Sequence, residues 1–150
     1  MITESDYFRD GKSGGDRRVM FERDLTPMIE ENAEVIIAKA NLLLTKYQAA
    51  TGDDRRRKIN SGWRPPAING STPNASSTSR HMTAEAIDIF DYEDEALDNW
   101  LMSDAGEAVL VELGLWHEHP DYLNGENATN GWCHVQTVPT RSNNRHFKAK

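Results

Sequence analysis

Between Thr26 and Gly52 the apolar positions Ile29, Ile36, Ala40, Leu43 and Tyr47 recur at threes and fours, which places them on one face of a helix. Thr26 suits the cap of that helix, Pro27 its first turn and Gly52 its end. The period then changes. Ile59 to Trp63 predicts a short strand, and the Pro-, Asn-, Ser- and Gly-rich stretch from Arg64 to about Thr78 predicts a long loop, a kind of segment that is often functional. Ala86 to Phe90 reads as a buried strand. A helix is expected from Asp91 to about Met102, with Leu97 and Leu101 inward. A second runs from Asp104 to Leu113, with Asp104 and Glu107 as a capping box and Gly114 as its stop. His117 to Gly131 is expected to be a loop, Trp132 to Val138 a last strand, and the remainder a polar tail. Before Thr26 there is no clear period, and Gly11, Gly14 and Gly15 interrupt any element, so residues 1–24 are expected to form a loose N-terminal arm. The order of elements predicts one α+β domain over residues 1–150, a small antiparallel sheet packed against helices.

Composition narrows the functional classes. At 150 residues the chain suits a single core. Its 37% hydrophobic and 27% charged residues make it polar, yet it holds enough Trp, Leu, Ile and Val to exclude wholesale disorder. A net charge of -7 argues against a nucleic-acid partner, and the basic run Arg55-Arg56-Arg57-Lys58 directly follows Asp53 and Asp54, as on a solvated face. No stretch reads as a signal peptide or a membrane span, so synthesis in the cytoplasm and no membrane partner are expected. Cys133 is the only cysteine. It excludes an internal disulfide and argues against a structural zinc site, which cysteines usually close.

The chemistry starts at Asp88, which lies between Ile87 and Ile89 in an otherwise apolar strand. A carboxylate there is expensive to bury unless it is paired or holds a metal, and a salt bridge is the simpler of the two readings. In Trp132-Cys133-His134-Val135-Gln136, strand alternation puts Trp132, His134 and Gln136 on one face and Cys133 and Val135 on the other. His134 then suits a cleft wall, or else is a satisfied, half-buried histidine. With His81, these residues offer two nitrogens and one oxygen. Three protein ligands with a fourth position open are the pattern of catalytic zinc.

These residues stand in a recognisable order. Ser79-Arg80-His81-Met82-Thr83-Ala84-Glu85-Ala86-Ile87-Asp88 resembles the S-x-H-x-x-G-x-A-x-D signature of the D-Ala-D-Ala carboxypeptidase and hedgehog-type zinc peptidases. Ser61-Gly62-Trp63-Arg64-Pro65-Pro66, followed by Asn69, resembles the segment that precedes that signature, and Trp132-Cys133-His134 resembles the W-x-H element that supplies the last ligand. The resemblance covers roughly residues 58 to 138 and is similar in layout to phage-type peptidoglycan peptidases, endolysin-like enzymes that act on the wall after release or as part of a virion.

The resemblance implies that His81, Asp88 and His134 hold one zinc ion. It implies that Arg64 faces the substrate carbonyl or carboxylate, where a planar cation neutralises an oxyanion or clamps a carboxylate. Ser79 would bind substrate or hold the loop that presents His81, with Trp63 and Gln136 beside the substrate; Gln136 is also a candidate to orient an imidazole. Ala84 stands where the family usually has Gly, which a negative φ would allow. Many relatives place an acid just before the last histidine, but here those positions are Asn130, Gly131 and Trp132. The base must then come from upstream. Glu118 is favoured, because Leu115-Trp116-His117-Glu118 can form a strand beside His134; Asp121 and Glu126 are the alternatives. His117 and His119 would share a face in a strand and could chelate a metal; the preferred reading is that one or both line the cleft rim. The implied reaction is metal-assisted hydrolysis of a wall peptide containing D-amino acids by a monomer, with Glu118 as the proton carrier. The implied product is an endopeptidase cut in a stem peptide or cross-link; removal of a terminal D-Ala, an amidase cut and a non-catalytic zinc-bearing module are the alternatives.

Overall fold

Thr26 caps the long helix α3 (Pro27–Thr51), its hydroxyl accepting from the Ile29 amide at 3.2 Å, and Gly52 closes it in the left-handed conformation with φ 78°. In the computed structural model, which describes residues 1–55, 58–73, 75–120 and 131–148, the predicted face of this helix is buried from Ile29 to Tyr47. It packs behind a sheet of five strands: β1 (Ile59–Ser61), β2 (Ala86–Phe90), β3 (Trp116–Glu118), β4 (Trp132–Gln136) and β5 (His146–Phe147). Their order is β1-β2-β4-β3-β5.

The sheet is mixed rather than antiparallel. The β1–β2, β2–β4 and β3–β4 pairs are antiparallel, but β5 runs parallel to β3, pairing His117 with His146 and Glu118 with Phe147. The polar tail concealed this strand, because two residues are too few to show a period. Ile87, Ile89, Cys133 and Val135 point back into the core, toward α3, α5 (Ala96–Leu101) and α6 (Asp104–Leu113). The opposite face carries Asp88, His134 and Gln136, in keeping with strand alternation.

The N-terminal segment is not a loose arm. Ile2, Tyr7 and Phe8 are core residues, around the short helices α1 (Glu4–Tyr7) and α2 (Arg17–Met20). The glycines that seemed to dissolve it instead form a turn. Gly14 has φ 72°, Asp10 accepts from the amide and hydroxyl of Ser13, and the Asp10 amide bonds to Gly15. Phe8 stacks edge-on against Trp63, and Arg17 donates to the Trp63 carbonyl at 2.7 Å while paired to Asp10. The segment therefore braces the chain just before Arg64.

Other boundaries shift for local reasons. The expected loop after Arg64 contains α4 (Pro66–Ser71), started by Pro66, and the buried Asn69 ties it to Ser76. Helix α5 begins only at Ala96, since Tyr92 and Glu95 turn to positive φ; Asp91 caps it from a distance, accepting from the Leu97 and Asp98 amides. Leu97 and Leu101 face inward as expected. Ser103, not Asp104, caps α6, because its hydroxyl reaches the Gly106 amide while Asp104 is already helical. Among the described residues no helix is long and apolar enough to cross a membrane. Arg55, from the basic run, is paired to Asp53 and Asp94; Arg56 and Arg57 lie outside the described residues.

Candidate metal centre

Strands β2 and β4 pair Asp88 directly with His134, and the loop before β2 brings His81 alongside. The two imidazoles meet edge to face, 5.2 Å between ring centres. Asp88 Oδ1 lies 3.2 Å from His81 Nε2 and 2.7 Å from His134 Nδ1. All three donor atoms fall within 4.8 Å of one another. Ligands about 2.0–2.1 Å from a tetrahedral zinc stand about 3.3 Å apart, so the set is of the right size.

The outer hydrogen bonds fix which nitrogens face inward. His81 Nδ1 lies 2.8 Å from the Gly62 carbonyl, an acceptor only, so Nδ1 carries the hydrogen and Nε2 the lone pair. That Nε2 is buried and has no hydrogen-bond partner among the described residues. Gln136 donates its amide to the Val138 carbonyl at 2.7 Å, which turns its Oε1 toward His134 Nε2 at 3.0 Å. His134 Nε2 is therefore a donor, and Nδ1 points its lone pair at Asp88. Two lone pairs and a carboxylate oxygen aimed at one point need a positive charge between them: a divalent cation or a proton. Metal-ligating histidines are commonly held in this way by a carbonyl or carboxylate on the far nitrogen.

Without a cation, the proton takes that place. Burial alone would lower the His134 pKa, but the hydrogen bond and charge of Asp88 push it up to about 9. Burial alone would raise Asp88, yet His81 and His134 hold it well below the usual carboxylate range. Burial lowers His81. A metal must therefore displace one proton, from His134. At pH 6, binding should release about one proton per ion, and apparent affinity should rise about tenfold per pH unit toward pH 9. Calorimetry in buffers of different ionisation enthalpy reads this directly; binding with no proton release would show that His134 is not displaced from its proton.

The surroundings sort the other expected residues. Arg64 donates to Ser79 Oγ at 3.1 Å, and its Nε is buried with no partner among the described residues. Ser79 Oγ also accepts from the His81 amide, so it holds the loop that presents His81. Glu118 follows His117, which pairs with Val135, so the antiparallel register carries it to the level of His134 on the face that bears Asp88 and His134. Burial raises its pKa, while His134 and Arg64 pull it down. Asp121 and Glu126, the alternative bases, lie outside the described residues.

Three expectations are corrected. Trp63 is fully buried against Phe8, its indole donating to the Met82 carbonyl, so it supports the loop rather than touching substrate. Gln136 is 5% exposed and uses both ends of its amide internally, so it orients His134. His117 is not at a rim: it points to the back of the sheet and is wholly buried. His119 is half-buried and its amide bonds to Phe147. Sequence reasoning missed Trp116, which shares a face of the sheet with Glu118 and His134 and leaves its buried Nε1 unpartnered among the described residues. Alternation along β3 would have found it. Phe147, edge-on to His134 at 5.9 Å, gave no signal in the tail.

Ala84 adopts φ 58°, so the site keeps the left-handed turn for which Gly is usual, and the expected negative φ does not hold. Its methyl is buried. A left-handed Ala costs roughly 1–2 kcal/mol, offset in part by about 0.8 kcal/mol for the buried methyl and about 0.4–1 kcal/mol of unfolded-chain entropy that Gly would add. Ala84→Gly should therefore alter unfolding free energy by less than about 1 kcal/mol, whereas Ala40→Gly in α3 should cost about 2 kcal/mol. Urea denaturation of both decides; equal costs would contradict the strain.

Gly62 tolerates nothing larger. An added Cβ would run into the Tyr7 carbonyl, which is backbone and cannot swing away. The Gly62 carbonyl is also what orients His81. Gly62→Ala should destabilise the fold by about 1–3 kcal/mol and weaken metal binding about 10–100-fold. Titration against a chromophoric chelator measures the second effect; unchanged affinity would remove Gly62 from the support of the site.

Comparisons of the chain with protein-family models, curated proteins and solved structures return no match.

Proposed function

We propose that this chain is a zinc-dependent peptidase of hedgehog and D-Ala-D-Ala carboxypeptidase type that hydrolyses peptide bonds in bacterial peptidoglycan. The observation that carries the reading is the convergence of the His81 Nε2 and His134 Nδ1 lone pairs on Asp88. The three sequence elements supplying these residues, in the order that the family uses them, support the same reading.

The ligand set of two imidazoles and one carboxylate suits zinc, and the bound ion supplies Lewis acidity toward the scissile carbonyl and the attacking water. The chain's own groups do the rest. Glu118 accepts a proton from the water and returns it to the leaving amine. Burial raises its pKa toward the working pH, which suits both halves of that cycle. Arg64 supplies a guanidinium to neutralise the oxygen that gains charge, and its Nε has no hydrogen-bond partner among the described residues. Gln136, Gly62 and Ser79 hold the imidazoles and the Arg64 loop in place.

We assign an endopeptidase cut within stem peptides or cross-links. Mass spectrometry of fragments from purified peptidoglycan tests this. New amino and carboxyl ends inside the peptide are expected. Release of only terminal D-Ala would make the enzyme a carboxypeptidase, with Arg64 clamping the substrate carboxylate. A freed lactyl group on muramic acid would indicate an amidase. A metal-loaded protein that leaves every wall preparation intact would be a binding module.

A further inference from the structure

Neighbouring residues on β3, β4 and β5 point to opposite faces, and the back face carries a second set of donors. We infer that Asp98, His117 and Cys133 form a second divalent-cation site, closed to solvent, with His146 and Glu107 as its outer support. The three donor atoms lie within 4.8 Å of one another, and all three residues are fully buried. Asp98 comes from α5, His117 from β3 and Cys133 from β4. Oxygen, imidazole and thiolate are the ligands zinc takes.

Counting hydrogens leaves a place for one positive charge there. His117 Nε2 is 2.7 Å from Asp98 Oδ1, His117 Nδ1 is 2.9 Å from His146 Nδ1, and His146 Nε2 is 3.3 Å from Glu107 Oε1. Suppose both imidazoles are neutral and no cation is bound. If His117 donates to Asp98, its Nδ1 must accept from His146 Nδ1. His146 Nε2 then turns a lone pair toward the Glu107 carboxylate. A cation on His117 Nε2 reverses the chain: His117 Nδ1–H donates to His146, and His146 Nε2–H donates to Glu107. Every contact is then satisfied, in the pattern of a ligating histidine supported through its far nitrogen. One proton held anywhere along the Asp98–His117–His146–Glu107 chain would satisfy it too, and a thiolate-to-metal band distinguishes that state from a bound cation.

Burial and the nearby Asp98 and Asp91 carboxylates keep the Cys133 thiol protonated, so the cation must release that proton on binding. With no solvent access the site does no chemistry on a substrate. It ties α5 to β3 and β4, directly behind His134. A single cysteine is a weak sequence signal for such a site; here one carboxylate and one imidazole join it as three of the four ligands that zinc takes.

Cobalt(II) is the probe. Cys133 is the only cysteine and the front site has no sulfur, so a near-ultraviolet thiolate-to-cobalt charge-transfer band can arise only at the back site. The full chain should show that band and bind one more equivalent than Cys133→Ser. The band should persist in His81→Ala, which separates this site from the front one. Cobalt bound by the wild type without a thiolate band overturns the inference, whether or not Cys133→Ser folds. So does loss of the band in a folded His81→Ala.

Discussion

Glu118→Gln should lower the rate of peptidoglycan hydrolysis by about two to four orders of magnitude, with metal content and unfolding midpoint unchanged. Glutamine keeps the shape and the hydrogen-bonding reach but cannot take a proton from water. Glu118 is not among the converging donors, so its replacement removes no ligand. It is partly buried and its pKa is raised by that burial, so a neutral amide is the form that the surroundings desolvate at least cost. The loss should fall on kcat, since proton transfer matters in the transition state and not in binding. Undiminished activity with metal retained would move the base elsewhere on the chain, Asp121 and Glu126 being the next candidates.

The local elements of the fold were largely legible, because helix α3 and strands β2 and β4 carry their periods in the sequence. Ile29 through Tyr47 repeat at helical spacing, and Ala86 to Phe90 is too apolar for a surface. The shared face of His134 and Gln136 followed from strand alternation alone once β4 was placed. Long-range packing was not legible. Tyr7 and Phe8 form core contacts from a four-residue helix too short for a period, so the N-terminal segment looked unattached. The Tyr7 hydroxyl donates to the Ala86 carbonyl at the head of β2, a contact between residues 79 positions apart. The parallel β5 was hidden for the same reason, and with it the contact of Phe147 on His134.

The site shows the same division. Its three converging residues were legible from the resemblance of their segments, but the roles of their neighbours depended on which way each side chain turns. Trp63 looked like a cleft aromatic and is a core residue, because the N-terminal segment covers it. His117 looked like a rim residue, although its neighbour Glu118 had been placed beside His134; adjacent strand residues cannot share a face. The same alternation puts Cys133 and His117 together behind the sheet. At Ala84 the sequence allowed a negative φ, and only the backbone angle showed that the left-handed turn is kept without the usual glycine.

His81→Ala should have the largest effect of all. It removes the one buried imidazole nitrogen that is oriented inward and without a hydrogen-bond partner among the described residues. Two ligands would remain, and in the absence of the third the Asp88–His134 pair is satisfied by a proton, so nothing compels a cation to stay. The decisive measurement is zinc content and wall hydrolysis, taken together on wild type and on a folded His81→Ala. The mutant should hold one zinc per chain fewer than the wild type and show no hydrolysis. Equal zinc in the two proteins, or hydrolysis that survives the substitution, would contradict the assignment of His81, Asp88 and His134 as the metal centre of a peptidase.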